Sequence, residues 1–439
     1  MIKPDTSCNR LGPIWLAPGV SVVNGVTLLY ASFVGISFLT FVNYGQAYIL
    51  NANLGIPRDQ QGTITGNLAF ITEVVAITLA FPIGVLCDRI GRRPILIFGM
   101  AVMGLSYVLY PLSTSIFDMS IYRALYAVGV GCTTGMIGIV TQDCTQEISR
   151  GKMVGVSGTM ISAGILTVLI VFARLPSFFA DRGVDDIAAG RYAHWIVAGV
   201  LFLSAIIMRI GIKSGTPAKK EDRPSPLHLV KAGLNAGRNP RIALSFAAAF
   251  SARGDLVVLG AFTALWGILA ARQQGLSVPE ATQAATTIAI TAQVAGMLWA
   301  PLFGFFNDRV NRVTAVIVGA GFAAIAYIST LSIDNPLDPK WLPMWAFLGA
   351  GNISGFHASQ ALMGQEAPHK ERGAVLGAFA MCGAIGILVA VSIGGRLFDL
   401  WLPQGPFVLV GIMDGVICLL AILVRFKAPG IMVIPRSQR

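Results

Sequence analysis

Six ionisable side chains lie inside long apolar stretches of this chain: Glu73, Arg123, Arg253, Asp255, His357 and Asp414. A charge in hydrocarbon is costly and is kept where it carries a proton or meets a charged ligand. Glu73 leads the set. Gly66, Ala69, Ala76, Ala80 and Gly84 share its helical face, and small residues permit close helix approach. Apolar surroundings favour the neutral form of an acid, which suits a proton carrier or a substrate contact. The structural alternative is a neutral, hydrogen-bonded acid that staples two helices. Arg253 and Asp255 stand two residues apart, about 200° of rotation on an intact helix, so they cannot share a side. A break at Gly254 is the alternative that turns both inward. Asp255 shares its face with Ser251, Phe262 and Trp266, a polar and aromatic stripe suited to a cavity wall, while Arg253 can pair with a neighbouring helix. Arg123 either meets a ligand or snorkels toward headgroups. His357 reads as a packing histidine before a proton relay, and Asp414 as an acid with a structural partner. Tyr44, Trp266 and Asn352 complete the candidate substrate and proton contacts.

These residues need elements that hold them, and composition names the medium. Apolar residues make up 55% of the 439 and charged residues 12%, about half the charged share of a soluble protein. Apolar runs near twenty residues recur from end to end, each long enough to cross a bilayer as a helix. The expected spans are 24–49, 62–86, 94–114, 118–142, 153–175, 193–213, 241–270, 283–306, 314–333, 342–364, 374–398 and 405–426. Most of the 32 Lys and Arg residues fall in segments that are cytoplasmic if both termini are inside, whereas Asp and Glu divide evenly. The net charge of +11 is therefore a topology signal, and no folded basic surface offers itself to nucleic acid. The first apolar segment is expected to be retained as a span. Six cysteines fall in spans or on the cytoplasmic side, so no disulfide is expected, and their spacing fits no metal site.

The chain also repeats itself. Gly84-Val85-Leu86-Cys87-Asp88-Arg89-Ile90-Gly91-Arg92-Arg93 returns as Gly304-Phe305-Phe306-Asn307-Asp308-Arg309-Val310-Asn311-Arg312. Gly129, Gly131 and Gly135 return as Gly349, Gly351 and Gly355, and Arg150-Gly151-x-x-x-Gly155 as Arg372-Gly373-x-x-x-Gly377. Glu73 is matched in the second copy by Gln293. Repeats of this length describe two similar membrane halves, a plan that many secondary transporters share. The expected halves are 1–213 and 241–439. Residues 214–240 link them and carry a short interfacial helix with Leu227, Val230 and Leu234 on one face.

The Gly84–Arg93 stretch resembles the cytoplasmic signature of the major facilitator superfamily, G-x-L-x-D-R-x-G-R-R, and lies between the second and third spans as in that family. In the second copy Asn311 replaces a glycine and Val313 the final basic residue. The resemblance implies an all-α membrane protein with twelve transmembrane helices in two pseudo-symmetric six-helix bundles. It also implies ion pairs that hold the cytoplasmic side shut. The matching residues are Asp88, Arg89, Arg92, Arg93, Asp143, Glu147 and Arg150, with Asp308, Arg309, Arg312, Glu366 and Arg372 in the second half. Such pairs can form in one state and break in another. The simpler reading is that these cations only mark topology. Arg123 resembles the arginine of a second family motif, with its glycine displaced. Span five lacks the G-x-x-x-G-P of the family's drug/proton antiporters. Asn43-Tyr44 resembles the start of the N-Y-x-D-R of organic-anion members, but Gly45-Gln46-Ala47 follows.

The expectation is a secondary transporter working by alternating access, a proton-coupled symporter of a small organic solute. Arg123 and Arg253 favour an anion. The alternatives are a proton antiporter exporting drugs or amphiphiles, and a membrane scaffold or sensor. An enzyme is not expected, since no Ser-His-Asp set converges and no Gly-rich loop cradles phosphate. Cofactor and metal are expected to be none, the partners a small molecule, H+ and lipid, and the protein a monomer in a bacterial inner membrane.

Overall fold

The computed structural model describes residues 7–214, 233, 235–368 and 372–430, and of Phe81, Asp88, Arg372 and Gly373 only the backbone. The expected linker helix, with Leu227, Val230 and Leu234, falls outside the described residues. The elements are α1 Val22–Gly35, α2 Phe38–Ala52, α3 Arg58–Ile90, α4 Arg92–Leu109, α5 Ile116–Asp143, α6 Arg150–Ile170, α7 Leu175–Ala180 and α8 Asp186–Gly211. There follow α9 Pro240–Gln273, α10 Val278–Arg309, α11 Arg312–Ile328, α12 Leu342–Glu366, α13 Arg372–Leu400 and α14 Gly405–Lys427. Each expected span falls mainly on helix, with a turn inside the first and a few residues beyond the helix ends in others. Eleven spans among the described residues are long and apolar enough to cross a membrane; α12, which carries Asn352, His357, Gln360 and Gln365, is not among them.

Two expectations change. Span 24–49 is two helices, because the chain turns at Ile36–Ser37. The Ser37 hydroxyl donates to Phe33 O one turn back and lies 3.3 Å from Ile161 O on α6. Back-bonding of this kind bends a helix. Gly164 of α6 packs so close to Ser37 that a Cβ there would overlap the hydroxyl. The stretch 176–192, left between two expected spans, is largely helical: α7 starts beside Pro176, and the Asp185 carboxylate caps α8 by accepting from Ile187 N and Ala188 N at 3.0 Å.

The chain divides into two compact units. One comprises Met1–Ile56, Ile71–Lys219 and Ser277–Thr286; the other comprises Pro57–Phe70, Lys220–Leu276 and Thr287–Arg439. In the first, α4 packs on α5 and α8, and α1 on α6; in the second, α11 packs on α12 and α14, and α9 on α13. Corresponding helices thus choose corresponding partners. Met100, Met103, Tyr107, Tyr126 and Leu201 lie in the first unit's core, and Val316, Ala320, Leu362, Ile417 and Ala421 in the second's. Lipid tails are as apolar as these side chains, so close packing and interhelical hydrogen bonds hold such bundles together.

The first unit carries an element the sequence did not announce. β1 Arg10–Leu11 and β2 Ile14–Trp15 form a hairpin lying on the connection between α5 and α6. Ser149 Oγ accepts from Trp15 N at 3.0 Å, Gln146 Nε2 donates to Leu16 O at 2.9 Å, and Ala17 N donates to Cys144 O at 2.9 Å.

Candidate functional site

In the first unit Arg123 is 6% exposed, inside α5. Its Nε donates to Thr72 Oγ1 of α3 at 2.7 Å, and its guanidinium lies 5.2 Å from the centre of the Tyr126 ring. The Tyr110 hydroxyl is also within reach of Arg123, and it donates to Gln46 Oε1 at 3.2 Å. Hydroxyls and a ring satisfy part of a guanidinium without neutralising it. No carboxylate pairs with Arg123 among the described residues, and Nη1 has no hydrogen-bond partner there. Beside this group His194 is buried: its Nδ1 faces Gly190 O at 2.8 Å and its ring packs against Phe41, Tyr107 and Tyr110. His194 Nε2 and the hydroxyl of Tyr44 are buried without hydrogen-bond partners among the described residues and line a small void with Phe41 and Tyr48. Tyr44 was expected at a binding site; His194, Tyr110 and Gln46 were not. A single histidine or glutamine in an apolar run gives no periodic signal.

In the second unit α9 runs unbroken through Gly254, so Arg253 and Asp255 stay on different sides. Asp255 is fully buried, and its carboxyl lies within hydrogen-bonding reach of Asp414 on α14. Ser251 Oγ donates to Asp414 Oδ1 at 2.7 Å. Tyr327 of α11 donates to the Asp255 backbone carbonyl at 3.1 Å and accepts from Asn352 Nδ2 at 3.1 Å. Trp266 and Phe262, expected on a cavity wall, are packed inside the unit: Trp266 has ring centres of Trp345 and Phe407 at 5.6 and 5.8 Å, and Phe262 has Phe398 at 5.8 Å. The bulk of these rings fills the space that a cavity would need. An open groove of about 440 Å³ lies elsewhere on the unit, between α9, α13 and α14, lined by Phe246, Phe250, Ile385, Met413 and Ile417 with Ser251 at its edge.

The remaining candidates are dispersed. Glu73 on α3, Gln293 on α10 and His357 on α12 are half-buried. The Arg253 guanidinium, also half-buried, lies 5.7 Å from the centre of the Phe356 ring.

At the expected cytoplasmic turns, Arg92 Nε and Asp143 Oδ2 form an ion pair between α4 and α5 at 2.6 Å, while Arg150 pairs locally with Glu147 at 2.5 Å. Gly91 has φ 91° and ψ 169°, a conformation essentially confined to glycine. The second copy solves the turn differently. Asn311 has φ −60°, its side chain accepts from Val313 N at 2.9 Å to cap α11, and it donates to Pro429 O at 2.6 Å. Arg312 pairs within its own turn with Asp308 at 2.9 Å, and Glu366 takes Arg241 of α9 at 2.8 Å, a partner outside the repeated motif. The Arg309 guanidinium lies over the Phe305 ring, 3.1 Å from its centre; Arg89 is exposed and Arg93 half-buried. The side chains of Asp88 and Arg372 lie outside the described residues.

Two helical bundles with repeated pairing, charged turns after corresponding helices and buried ionisable side chains fit a membrane protein of the two-bundle transporter class. The sequence profile described as Major Facilitator Superfamily matches residues 32–342 and again 256–438, and the chain belongs to that family. It is 28% identical over 392 residues to the magnetosome protein MamH of Paramagnetospirillum magneticum, covering 85% of this chain and 86% of that one. It is 27% identical over 383 residues to magnetosome protein MamZ of the same organism, where it spans 57% of the relative's length. Among solved structures it resembles the nucleoside transporter NupG with a TM-score of 0.70 at 14% identity, over 92% of this chain and 99% of that one. That likeness is one of fold.

Proposed function

We propose that the protein is a proton-coupled secondary transporter that imports a small organic anion by alternating access. The observation that carries the anion is Arg123, a buried guanidinium that among the described residues has no hydrogen-bond partner at Nη1 and no carboxylate paired with it. A cation without a counter-ion in a low-dielectric interior is costly, and a carboxylate-like ligand offsets that cost. Proton coupling is supported by acids kept away from water, Asp255 above all. In this reading residues 1–213 and 241–439 are the moving halves and 214–240 joins them. The pairs Arg92–Asp143 and Arg241–Glu366 act as cytoplasmic latches, and the protein works without cofactor as a monomer in a bacterial inner membrane, both termini inside. The likeness to two magnetosome proteins supports a specialised bacterial membrane as the alternative location.

A thermal-shift screen of a metabolite library against the purified full chain, at acid and neutral pH, tests the reading. Organic anions should stabilise the protein, more so in acid, and an inward proton gradient should drive their uptake into proteoliposomes. Stabilisation by cationic or neutral amphiphiles alone would overturn it in favour of an exporter.

A further inference from the structure

The Asp255 and Asp414 carboxyls meet inside the second unit, 0% and 2% exposed. Two ionised carboxylates cannot hydrogen-bond to each other, and side by side in an apolar interior they repel; a proton held between them turns the contact into an O–H···O bond. The groups facing the pair are consistent with this. From α9, Ser251 donates to Asp414 Oδ1, and Arg253 lies about 200° around the helix from Asp255, its guanidinium over Phe356. From α11, the Tyr327 proton goes to a backbone carbonyl and not to either carboxyl. Asn352 of α12 is engaged with Tyr327. On α14 itself, Cys418 gives its thiol proton to Ile317 O at 3.4 Å. Both Asp255 oxygens and Asp414 Oδ2 have no other partner among the described residues.

We infer that Asp255 and Asp414 form a single proton-binding site, holding one shared proton between α9 and α14. The inference deepens the proton coupling proposed above and rests on it for its role in transport. Proton balance gives the pair a mechanical consequence. Bound, the site carries one negative charge, delocalised over two carboxyls and steadied by Ser251. When the proton leaves, two like charges face each other in a dry interior, and the repulsion is relieved when α9 and α14 separate or water enters. The open groove of about 440 Å³ next to Ser251 is lined by apolar side chains, several of them exposed such as Ile412 and Val416, so it offers room for that movement without offering water a foothold.

Infrared spectroscopy of the purified full chain, in H2O and D2O across acid to alkaline buffer, tests the site with H+ as the probe. The wild type should show a protonated carboxyl C=O band at neutral pH that shifts in D2O and disappears in alkali. An asparagine partner supplies N–H donors to the remaining carboxylate, so the band should be lost in D255N and equally in D414N. Ser251→Ala keeps both acids and should displace the band without abolishing it, a readout that does not depend on the charge-removing variants folding. Absence of the band from neutral wild type, or its unchanged survival in either asparagine variant, would overturn the shared site. Failure of a proton gradient to drive uptake by a wild type that shows the band would instead overturn the coupling reading.

Discussion

Arg92, the first residue of α4, and Asp143, the last of α5, meet at 2.6 Å on one side of the first unit. Both are partly exposed, at 25% and 43%, so solvent screening limits the pair to about 0.2–1 kcal/mol. That is small for stability but sufficient for a switch, since ~1 kcal/mol changes an opening equilibrium about five-fold. Asp143→Asn should therefore raise the maleimide labelling rate of the neighbouring Cys144, now buried, by up to about five-fold, read by peptide mass spectrometry. An unchanged rate would remove this pair from any latch.

Gly91 and Asn311 occupy equivalent places in the two copies with different backbones. Substituting Gly91 by Ala or by Asn should cost about 1–3 kcal/mol, because ψ near 169° at positive φ excludes even residues that tolerate a left-handed turn. Asn311→Ala should cost about 1 kcal/mol, the loss of a helix cap, and Asn311→Gly a few tenths. Thermal denaturation of the four variants gives the order.

Arg123→Gln should abolish stabilisation by anionic ligands in the thermal-shift assay while leaving the unliganded protein folded. Arg123→Lys retains the charge but not the fork that reaches Thr72, and should bind such ligands at least ten-fold more weakly, matching the 1.5–3 kcal/mol typical of a hydrogen bond to a charged group.

Between α11 and α12, Lys340 donates to Asp334 at 2.9 Å and pairs with Asp338 at 3.2 Å, and Trp341 Nε1 donates to Asp334 at 2.6 Å. The hydrogen bond from Lys340, then that from Trp341, holds the Asp334 carboxyl well below the usual carboxylate range. A depressed acid contributes order that is complete above its unfolded value, about 3.9, and is lost as pH falls further. Lys340 is raised, first by Asp334 and then by Asp338. Its contribution is complete below about 10.4 and fades as pH rises through the higher folded value. Hydrogen exchange across 333–341 should thus show constant protection from mild acid to mild alkali, with losses in strong acid, from Asp334, and in strong alkali, from Lys340. Asp334→Asn should weaken the pH dependence of the acid side, leaving the smaller part that Asp338 contributes through Lys340.

The membrane-spanning helices were legible because a bilayer imposes a length on each apolar run, and repetition of the Gly84–Arg93 turn disclosed the two-bundle plan. The turn at Ser37 was not, since it depends on Gly164, whose closeness only the packed helices create. Arg123 and Asp255 stood out as charges in apolar runs. Asp414 was visible as a charge too, but its meeting with Asp255 joins positions far apart in sequence with no shared motif. The Arg241–Glu366 pair escaped for the same reason. Trp266 showed the opposite failure: an aromatic on a polar-looking face is read equally well as cavity lining or as core, and its neighbours Trp345 and Phe407 decide for core.

The unbroken course of α9 also has a mechanical meaning. Its 34 residues extend about 50 Å, well beyond the ~30 Å of hydrocarbon they cross. A rod of that length pivoting near Gly254 has arms of roughly 20–30 Å, so a tilt of about 5° displaces each tip by about 2 Å. That travel is comparable with the span of a salt bridge, and the tip at Arg241 is the one bonded to Glu366. If Asp255 and Asp414 share a proton as proposed, its gain or loss at the fulcrum would reach the Arg241 end of the rod as a change in leverage, with no need for a chain of intervening contacts.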